Sequence, residues 1–289
     1  IDGHMKMFPE GRLLIAEDVH DSIWYVTKKY KKSVEVLNID RFGQIQIDEF
    51  DRALTREITL VCINHVSNET GTVHPVMEMA DLCSRRKIKI LIDGTQSLGH
   101  LPINLDAIPF NYFSFSAHKF GGVKSTGGVL IRDDQFRPLI SGGKQEWDLR
   151  AGTEDIAGLA AMVVALKKCL DCIEEETIRL NILKKSILEH LKKQPHVLIN
   201  SPGNSLPGIL SVSIPGMTGR ELVAVLSHSG FAISTGSACH ANQLAPSRII
   251  TAMGRNKLEA IGSIRISMGF GTTDEAVNDL VKTLLDLIN

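Results

Sequence analysis

Short apolar runs alternate with helical patterns through the first half of the chain. Three runs rich in β-branched residues, at Leu13–Ala16, Thr59–Ile63 and Ile88–Ile92, are each followed by polar residues and predict strands. Between them, Asp21–Tyr30 and Val76–Arg86 carry apolar residues at helical spacing, which predicts helices. This alternation predicts an α/β fold in which a mainly parallel sheet is covered by helices on both faces.

The second half of the chain has a different pattern. A helical region runs from Glu154 to about Lys193, and its apolar run Ile156–Leu166 predicts a buried helix, because a membrane span needs about 20 apolar residues. The later predicted elements are a strand at Gly208–Ile214, a helix at Thr218–Ser227, a strand at Phe231–Ser234 and a closing helix whose capping box is Thr272 with Glu275. We therefore expect a large domain over residues 1–172 and a smaller α+β domain over residues 173–289.

Composition and charge argue against several classes of protein. The 289 residues are 43% hydrophobic and 22% charged, which is unlike a disordered, collagen-like or coiled-coil protein and typical of a soluble globular one. The formal net charge is −1 and no long basic block occurs, so charge gives no reason to expect a nucleic acid or membrane partner.

The five cysteines are few and scattered: Cys62, Cys83, Cys169, Cys172 and Cys239. A sparse, odd set is unlike the disulfide framework of a secreted protein and favours a reducing compartment such as the cytoplasm. Cys169 and Cys172 form a C-x-x-C pair, but no second pair completes a four-thiolate site. We interpret the pair as two cysteines on one helix face and expect no metal site.

Polar residues follow the predicted strands directly, at positions 18–20, 64–71 and 93–96. Ligands bind at the carboxyl ends of the strands in parallel sheets, so these positions are the first candidates for a site. Asp93 could be a helix N-cap, or its carboxylate could hold a cationic group such as a protonated pyridine nitrogen. Gln96 could donate a hydrogen bond to a nearby ligand oxygen.

Two further segments carry candidate chemistry. In Ser114–Gly128, Lys119 stands beside Ser116 and His118; an isolated lysine is usually a solvated surface residue, but these neighbours could bind a phosphate while the amine forms a Schiff base. Cys239 lies in a loop rich in glycine, serine and alanine, a setting more typical of a reactive cysteine than of a structural one. The alternative for Cys239 is a passive loop thiol.

Taken together, these segments resemble the cysteine desulfurases, the class V branch of the fold-type I pyridoxal 5'-phosphate (PLP) enzymes. The matching segments are HVSNETGT (65–72), IDGTQSLG (92–99), SFSAHKFGG (114–122), GGKQEWDLRAGTED (142–155), STGSAC (234–239) and SIRISMG (263–269). They occur in the family's order and spacing across nearly the whole chain. The resemblance implies a PLP-dependent transferase-like fold and the conversion of L-cysteine to L-alanine, with a persulfide formed on Cys239 and passed to a protein acceptor such as an iron–sulfur scaffold. The distance from Cys239 to Pro246 resembles the long-loop group of the family.

The resemblance also implies roles for individual residues. Lys119, Cys239 and His20 would be catalytic; without the resemblance, His20 would be read as a solvated histidine at a helix start. The implied cofactor contacts are Lys119 covalently, Asp93 at the pyridine nitrogen, Gln96 at the ring hydroxyl, His20 on the ring face, Asn68 near the ring oxygen, Ser116 and His118 at the phosphate, and Thr153 at the partner subunit's phosphate. Arg265 would bind the substrate carboxylate through its planar guanidinium, with Asn68 close by. Because Thr153 has this role only across an interface, we expect a homodimer.

One departure from the family pattern bears on the cofactor. The family's Gly-Ala-Thr-Glu-like phosphate loop is absent and would precede Ile1, so we expect weak or absent PLP binding by these 289 residues. Two alternatives stay open: a selenocysteine lyase, and a non-catalytic scaffold or partner protein. We also expect residues from Ser237 to about Ala245 to be mobile, because small and polar side chains offer little apolar area to hold them.

Overall fold

The computed structural model describes residues 1–236 and 245–288. The chain forms two compact units: the first comprises Ile1–Asn38, Ile45–Val66 and His74–Asp171, and the second comprises Ile39–Gln44, Ser67–Val73 and Cys172–Asn289. Two short segments of the first half of the chain therefore belong to the second unit, which the sequence pattern did not indicate. The segment expected to be mobile lies, up to residue 244, outside the described residues.

The first unit is built on a mainly parallel sheet, which confirms the predicted α/β fold. Its strands are β1 (Arg12–Ala16), β2 (Val34–Leu37), β3 (Ile58–Asn64), β4 (Lys89–Asp93), β5 (Tyr112–Ser116) and β6 (Gly127–Ile131). They lie in the order β2-β1-β3-β4-β5-β6. β1 to β5 pair in parallel, and β6 runs antiparallel to β5. The central strand β3 is buried along almost its whole length, as expected of a strand covered on both faces.

Helices of the first unit cover this sheet. They are α1 (Asp2–Met7), α2 (Asp21–Thr27), α3 (Ile47–Ala53), α4 (Val76–Arg85) and α5 (Ile156–Asp171). In α4 the buried residues Val76, Met79, Ala80 and Cys83 recur at helical spacing, which is the stripe that the sequence pattern predicted.

The second unit is a smaller α+β structure. Its elements are α6 (Ile173–Leu191), β7 (Leu198–Ile199), β8 (Ile209–Ser213), α7 (Gly219–His228), β9 (Ser234–Thr235), α8 (Arg248–Ala252), α9 (Lys257–Ile261), β10 (Ser263–Ser267) and α10 (Asp274–Ile288). The strands form an antiparallel sheet in the order β7-β8-β10-β9. Its core includes Leu183, Ile187, Leu210, Ile264 and Leu284.

The helical region predicted from Glu154 to about Lys193 is not one continuous helix. It is two helices, because Cys172 leaves the helical conformation at φ −126° and ψ 14°. Cys169 is buried on α5 and Cys172 stands at the break, so the expectation of two cysteines on one helix face was wrong.

The burial of α5 also differs from its prediction. Within the first unit α5 buries only Gly158 and Cys169. Ile156 and Val164 are 70% and 71% exposed. Apolar residues lie on every side of this helix, and packing against one sheet can bury only one side. None of the helices in the described ranges is long and apolar enough to cross a membrane.

The closing helix α10 is capped by Thr273, one residue after the predicted cap Thr272. Thr273 Oγ1 accepts the backbone N–H of Ala276 at 3.1 Å and so caps α10. Thr272 Oγ1 instead accepts the N–H of Gly269 at 3.0 Å, which places Thr272 in the preceding turn and rules out the predicted capping box.

Candidate active site

Polar residues meet at the carboxyl edge of the first unit's sheet. Asn64, Asp93 and Ser114 stand side by side in register on β3, β4 and β5. The chain leaves β1 toward His20 and leaves β5 toward Lys119 at the same edge. Parallel strands place their carboxyl ends together, so residues far apart in the sequence are gathered into one candidate site.

Asp93 is held in place by the backbone around it. Its carbonyl accepts the N–H of His65 at 2.9 Å, and Gly94 donates its N–H to the carbonyl of Ser114 at 2.8 Å. A side chain at Gly94 would lie 1.9 Å from the Phe113 ring, so only glycine fits there. The Asp93 carboxylate accepts the N–H of Thr95 at 3.0 Å, which makes it part of a turn rather than the cap of a helix.

Lys119 is presented on a short 3-10 helix, Ala117–Phe120, directly after β5. Ala117 and Phe120 are buried while His118 and Lys119 are exposed, so packing on one side directs the two basic residues to the other. Cys169 on α5 supports the turn from below, because its thiol donates to the carbonyl of Phe120 at 3.2 Å. Burial and the neighbouring Lys119 both lower the pKa of His118.

His100 is a part of this region that sequence reasoning missed. Its Nδ1 is buried without a hydrogen-bond partner among the described residues. Burial lowers the pKa of His100, and the charge of Lys119 acts in the same direction. The lowered pKa favours a neutral imidazole beside Lys119. The only signal for His100 in the sequence was its position at the end of the segment that contains Asp93.

His20 is oriented by both its side chain and its backbone. It caps α2, where Nδ1 accepts the N–H of Ser22 at 3.2 Å, so a neutral His20 ring carries its proton on Nε2. The backbone N–H of His20 donates to Asn64 Oδ1 at 3.4 Å, and Asn64 Nδ2 donates to the carbonyl of Asp18 at 2.6 Å. Asn64 thus ties the segment after β1 to the end of β3.

Close to His20 in sequence, Asp18 forms a buried aspartate–histidine pair with His74. Asp18 and His74, exposed by 0% and 1%, are joined by a bond of 2.8 Å between Oδ2 and Nε2. His65 is buried beside them, and burial lowers its pKa to about 4, with His74 acting in the same direction. Position 18 and positions 64–65 were candidates because they follow strands, whereas no sequence signal indicated His74.

A second group of polar residues lies within the second unit. Arg265, on β10, donates from Nη1 to the carbonyls of Asn68 at 2.9 Å and Gly236 at 3.1 Å, and from Nε to Ser267 Oγ at 3.2 Å. Burial lowers the pKa of Arg265, and the carboxylate of Glu69 opposes that shift. Among the described residues, Arg265 Nη2 and the buried Asn68 Oδ1 have no hydrogen-bond partner.

The predicted site residues thus divide between the two units. His20, Asp93, Gln96, Ser116, His118, Lys119 and Thr153 belong to the first unit, and Asn68 and Arg265 belong to the second. Thr153 is exposed in the coil before α5, and its role across an interface stays a prediction. Cys239 lies outside the described residues. In residues 1–236 and 245–288, no group of three or more histidine, cysteine, aspartate or glutamate side chains is arranged to hold a metal ion.

The amino-acid sequence is similar to those of known proteins. Residues 6–280 match the aminotransferase class-V family. The chain is 34% identical to the cysteine desulfurase IscS of Dictyoglomus turgidum, over 88% of this chain and 66% of that protein. It is 32% identical to a cysteine desulfurase of Sinorhizobium fredii, over 97% of this chain and 74% of that protein. The chain therefore spans about two thirds to three quarters of the length of these relatives.

Solved structures give the same result for the fold. A NifS-like protein superposes with a TM-score of 0.90 at 28% identity, covering 99% of this chain and 78% of that one. A NifS-like protein of Rickettsia africae superposes with a TM-score of 0.88 at 25% identity, covering 99% of this chain and 79% of that one.

Proposed function

The chain belongs to the aminotransferase class-V family, and we propose that it acts as a PLP-dependent cysteine desulfurase. The observation that carries this proposal is the placement of Asp93, Lys119 and His20 at one edge of a parallel sheet. The names of the relatives, cysteine desulfurases at 30–34% identity, agree with it. A non-catalytic scaffold would have no need of an exposed amine and a turn-bound carboxylate at that edge.

The residues at this edge fit PLP chemically. The Asp93 carboxylate would pair with the pyridine nitrogen, and the Lys119 amine would bond to the aldehyde carbon. Ser116 and His118 would hold the phosphate, while Gln96 would contact the ring oxygen. The family resemblance also assigns a contact with that oxygen to Asn68, a residue of the second unit. When bound, PLP withdraws electrons from the substrate's α-carbon.

Residues of the chain supply the remaining steps. Arg265 would bind the substrate carboxylate, and the Lys119 amine would move the proton at the α-carbon. The Cys239 thiolate would attack the substrate sulfur: an S–S bond forms, the bond between sulfur and Cβ breaks, and Cβ takes up a proton to give L-alanine. Cys239 then carries a persulfide, which a protein acceptor such as an iron–sulfur scaffold would receive.

A homodimer would cover the exposed apolar side of α5. Ile156, Val163 and Val164 are between 61% and 71% exposed, and Thr153 lies just before them. A second copy of the chain would bury this surface and bring Thr153 to the partner's phosphate, as the family resemblance implies. Sedimentation of the full chain at micromolar concentration tests this, and a monomer would contradict it.

Two variants of the full chain, measured with excess PLP and L-cysteine, test the function. Cys239→Ser should abolish alanine formation and leave the visible absorbance of bound PLP intact, because serine cannot accept sulfur. Lys119→Ala should remove that absorbance band, because the covalent bond to the lysine amine is lost.

Cys172→Ser is the matched control, a half-buried thiol outside the candidate site that should keep full activity. Alanine formation from cysteine by Cys239→Ser would overturn the role of Cys239. If that variant kept turnover only with selenocysteine, the protein would be a selenocysteine lyase instead.

A further inference from the structure

We propose that the first unit has a second binding site, a basic cleft at the amino edge of its sheet that binds a small molecule with a di- or triphosphate group. Strand β3 begins at Ile58 and β4 at Lys89, and both residues line the cleft. The candidate active site lies at the other end of these strands, where Asp93 is four residues of extended chain, about 13 Å, from Lys89. No residue of the cleft has a role in the proposed sulfur-transfer mechanism.

The lining of the cleft carries one sign of charge. Its volume is about 520 Å³, within the range of small-molecule sites. Four of its ten lining residues are basic and none is acidic; the basic residues are Arg56, Arg86, Lys87 and Lys89. The whole chain has a net charge of −1, so this excess of positive charge is local. A cleft lined by one sign of charge raises the local concentration of ions of the opposite sign.

Two of the four cations are paired and hold the walls of the cleft in place. Arg86 Nη2 forms an ion pair with Asp51 Oδ1 at 2.7 Å, and Arg86 Nη1 donates to the carbonyl of Leu54 at 3.0 Å. Lys89 Nζ forms an ion pair with Asp133 Oδ2 at 2.7 Å. These contacts fix the wall residues but leave little of the charge of Arg86 and Lys89 for a ligand.

The other two cations are the ligand-binding candidates. Arg56 and Lys87 are exposed, and neither forms an ion pair with a carboxylate in the described part of the chain. Two unpaired cations in one cleft repel each other, and an anion with at least two negative charges relieves that repulsion. The planar guanidinium of arginine suits phosphate oxygens, to which it donates two parallel hydrogen bonds. The free charges therefore indicate a di- or triphosphate rather than a singly charged carboxylate.

The backbone at Lys87 supports the same site. Lys87 has φ 58°, a left-handed conformation that favours glycine. It follows the C-cap of α4, where its N–H donates to the carbonyl of Ser84 at 3.1 Å and the N–H of Ile88 donates to the carbonyl of Cys83 at 3.0 Å. Glycine usually occupies this position of such a helix end. A lysine here costs backbone strain, and strain of this kind is concentrated at binding and catalytic sites.

Isothermal titration calorimetry of the full chain with inorganic pyrophosphate, in the absence of PLP, tests the proposal. We expect saturable binding that weakens as the salt concentration rises. Lys87→Gln and Arg56→Gln should each weaken it roughly threefold to fivefold, the change expected when one exposed ion pair is lost. Lys32→Gln removes an exposed lysine elsewhere in the same unit, so it is the matched control and should leave the dissociation constant unchanged.

Lys87→Gly separates ligand binding from the stability of the fold. Glycine relieves the left-handed strain, so this variant should unfold at a temperature about 2–4 °C higher than the unchanged chain. It should nevertheless bind pyrophosphate as weakly as Lys87→Gln does. A loss of binding together with a gain in stability excludes partial unfolding as its cause. Arg56→Gln, at an exposed position outside the strands and helices, decides the matter if the Lys87 variants are poorly folded.

Lys119→Ala distinguishes the cleft from the candidate cofactor edge, which would also attract a phosphate. It should keep the part of the binding that the Lys87 and Arg56 variants weaken. Unchanged pyrophosphate binding in Lys87→Gln and Arg56→Gln, or no binding by the unchanged chain, would overturn the proposal. Binding that only Lys119→Ala weakens would place the anion at the cofactor edge and would overturn it as well.

Discussion

The two units differ in the basic groups whose pKa burial lowers. In the first unit these include His4 and His65, whose pKa falls to about 4. In the second unit they are Lys184, whose pKa falls to about 8, and Arg265, whose pKa is also lowered. Lys184 donates to Ser205 Oγ at 2.6 Å and to the carbonyl of Leu206 at 3.0 Å, so its ammonium is bonded rather than paired with a carboxylate.

This difference makes the two units respond to pH in different ranges, although both gain stability as pH rises. A histidine whose pKa is lowered on folding binds more protons when unfolded, so the first unit loses stability as pH falls from about 6.5 to 4. A lysine whose pKa is lowered also binds more protons when unfolded, so the second unit gains stability as pH rises from about 8 to 10.5. Acid should therefore weaken the candidate cofactor edge first.

The largest effect is expected for His65→Gln. The substitution removes a group whose pKa is about 4 when folded and 6.5 otherwise, so the stability lost between pH 7 and pH 4 should shrink by about 3 kcal/mol. Urea unfolding followed by tryptophan fluorescence measures this, because Trp24 and Trp147 both lie in the first unit.

His196→Gln, an exposed histidine of the second unit, is the control and should leave the acid response of this fluorescence unchanged. An equal acid loss in His65→Gln and the unchanged chain would mean that His65 is not buried in its neutral form.

A smaller effect is expected for Lys184→Met. The variant keeps the apolar stem but removes the hydrogen bonds from Nζ to Ser205 Oγ and to the Leu206 carbonyl, which should cost the second unit about 1–3 kcal/mol at pH 7. It should also abolish the gain in stability between pH 8 and 10.5. Hydrogen exchange of α6 and β8 peptides reports on this unit, with exposed Lys185→Met as the control. A variant that still gained stability over that range would refute the assignment to Lys184.

The smallest effect is expected for Thr218→Ala, which should be independent of pH between 6 and 9. Thr218 and Glu221 form a capping box at the start of α7, and loss of the cap should cost about 1 kcal/mol. Exchange of the α7 peptides should rise while tryptophan fluorescence unfolding stays the same. A change in the first unit's transition would show that the two units do not respond separately.

Local patterns predicted those parts of the fold in which neighbouring residues decide the structure. Strand β3 and helix α4 were predicted within a residue or two, since burial on one or both faces leaves a regular apolar period. The break at Cys172 was not predicted, because no proline or glycine marks it in the sequence. The exposure of α5 was not predicted either. An apolar pattern shows that a helix needs to be covered, but it does not show whether the same chain or another chain covers it.

The candidate site shows the same division. Asp93 with Gln96, and Ser116 with Lys119, were found because each set is contiguous in sequence and follows a strand. His74 became a candidate only through its contact with Asp18, 56 residues away. Glu69 lies in the polar stretch 64–71 that the sequence indicated, but its contact with Ser247, 178 residues away, was not predictable.

The sequence alone therefore determined the α/β class, because periodicity is a local property of the chain. The resemblance of its short motifs indicated the family and the candidate residues of the site. Only the tertiary structure decided that residues 67–73 belong to the second unit and that Glu69 contacts Ser247. Such contacts depend on how distant strands and loops pack, and packing is set by the whole core rather than by any segment that can be read on its own.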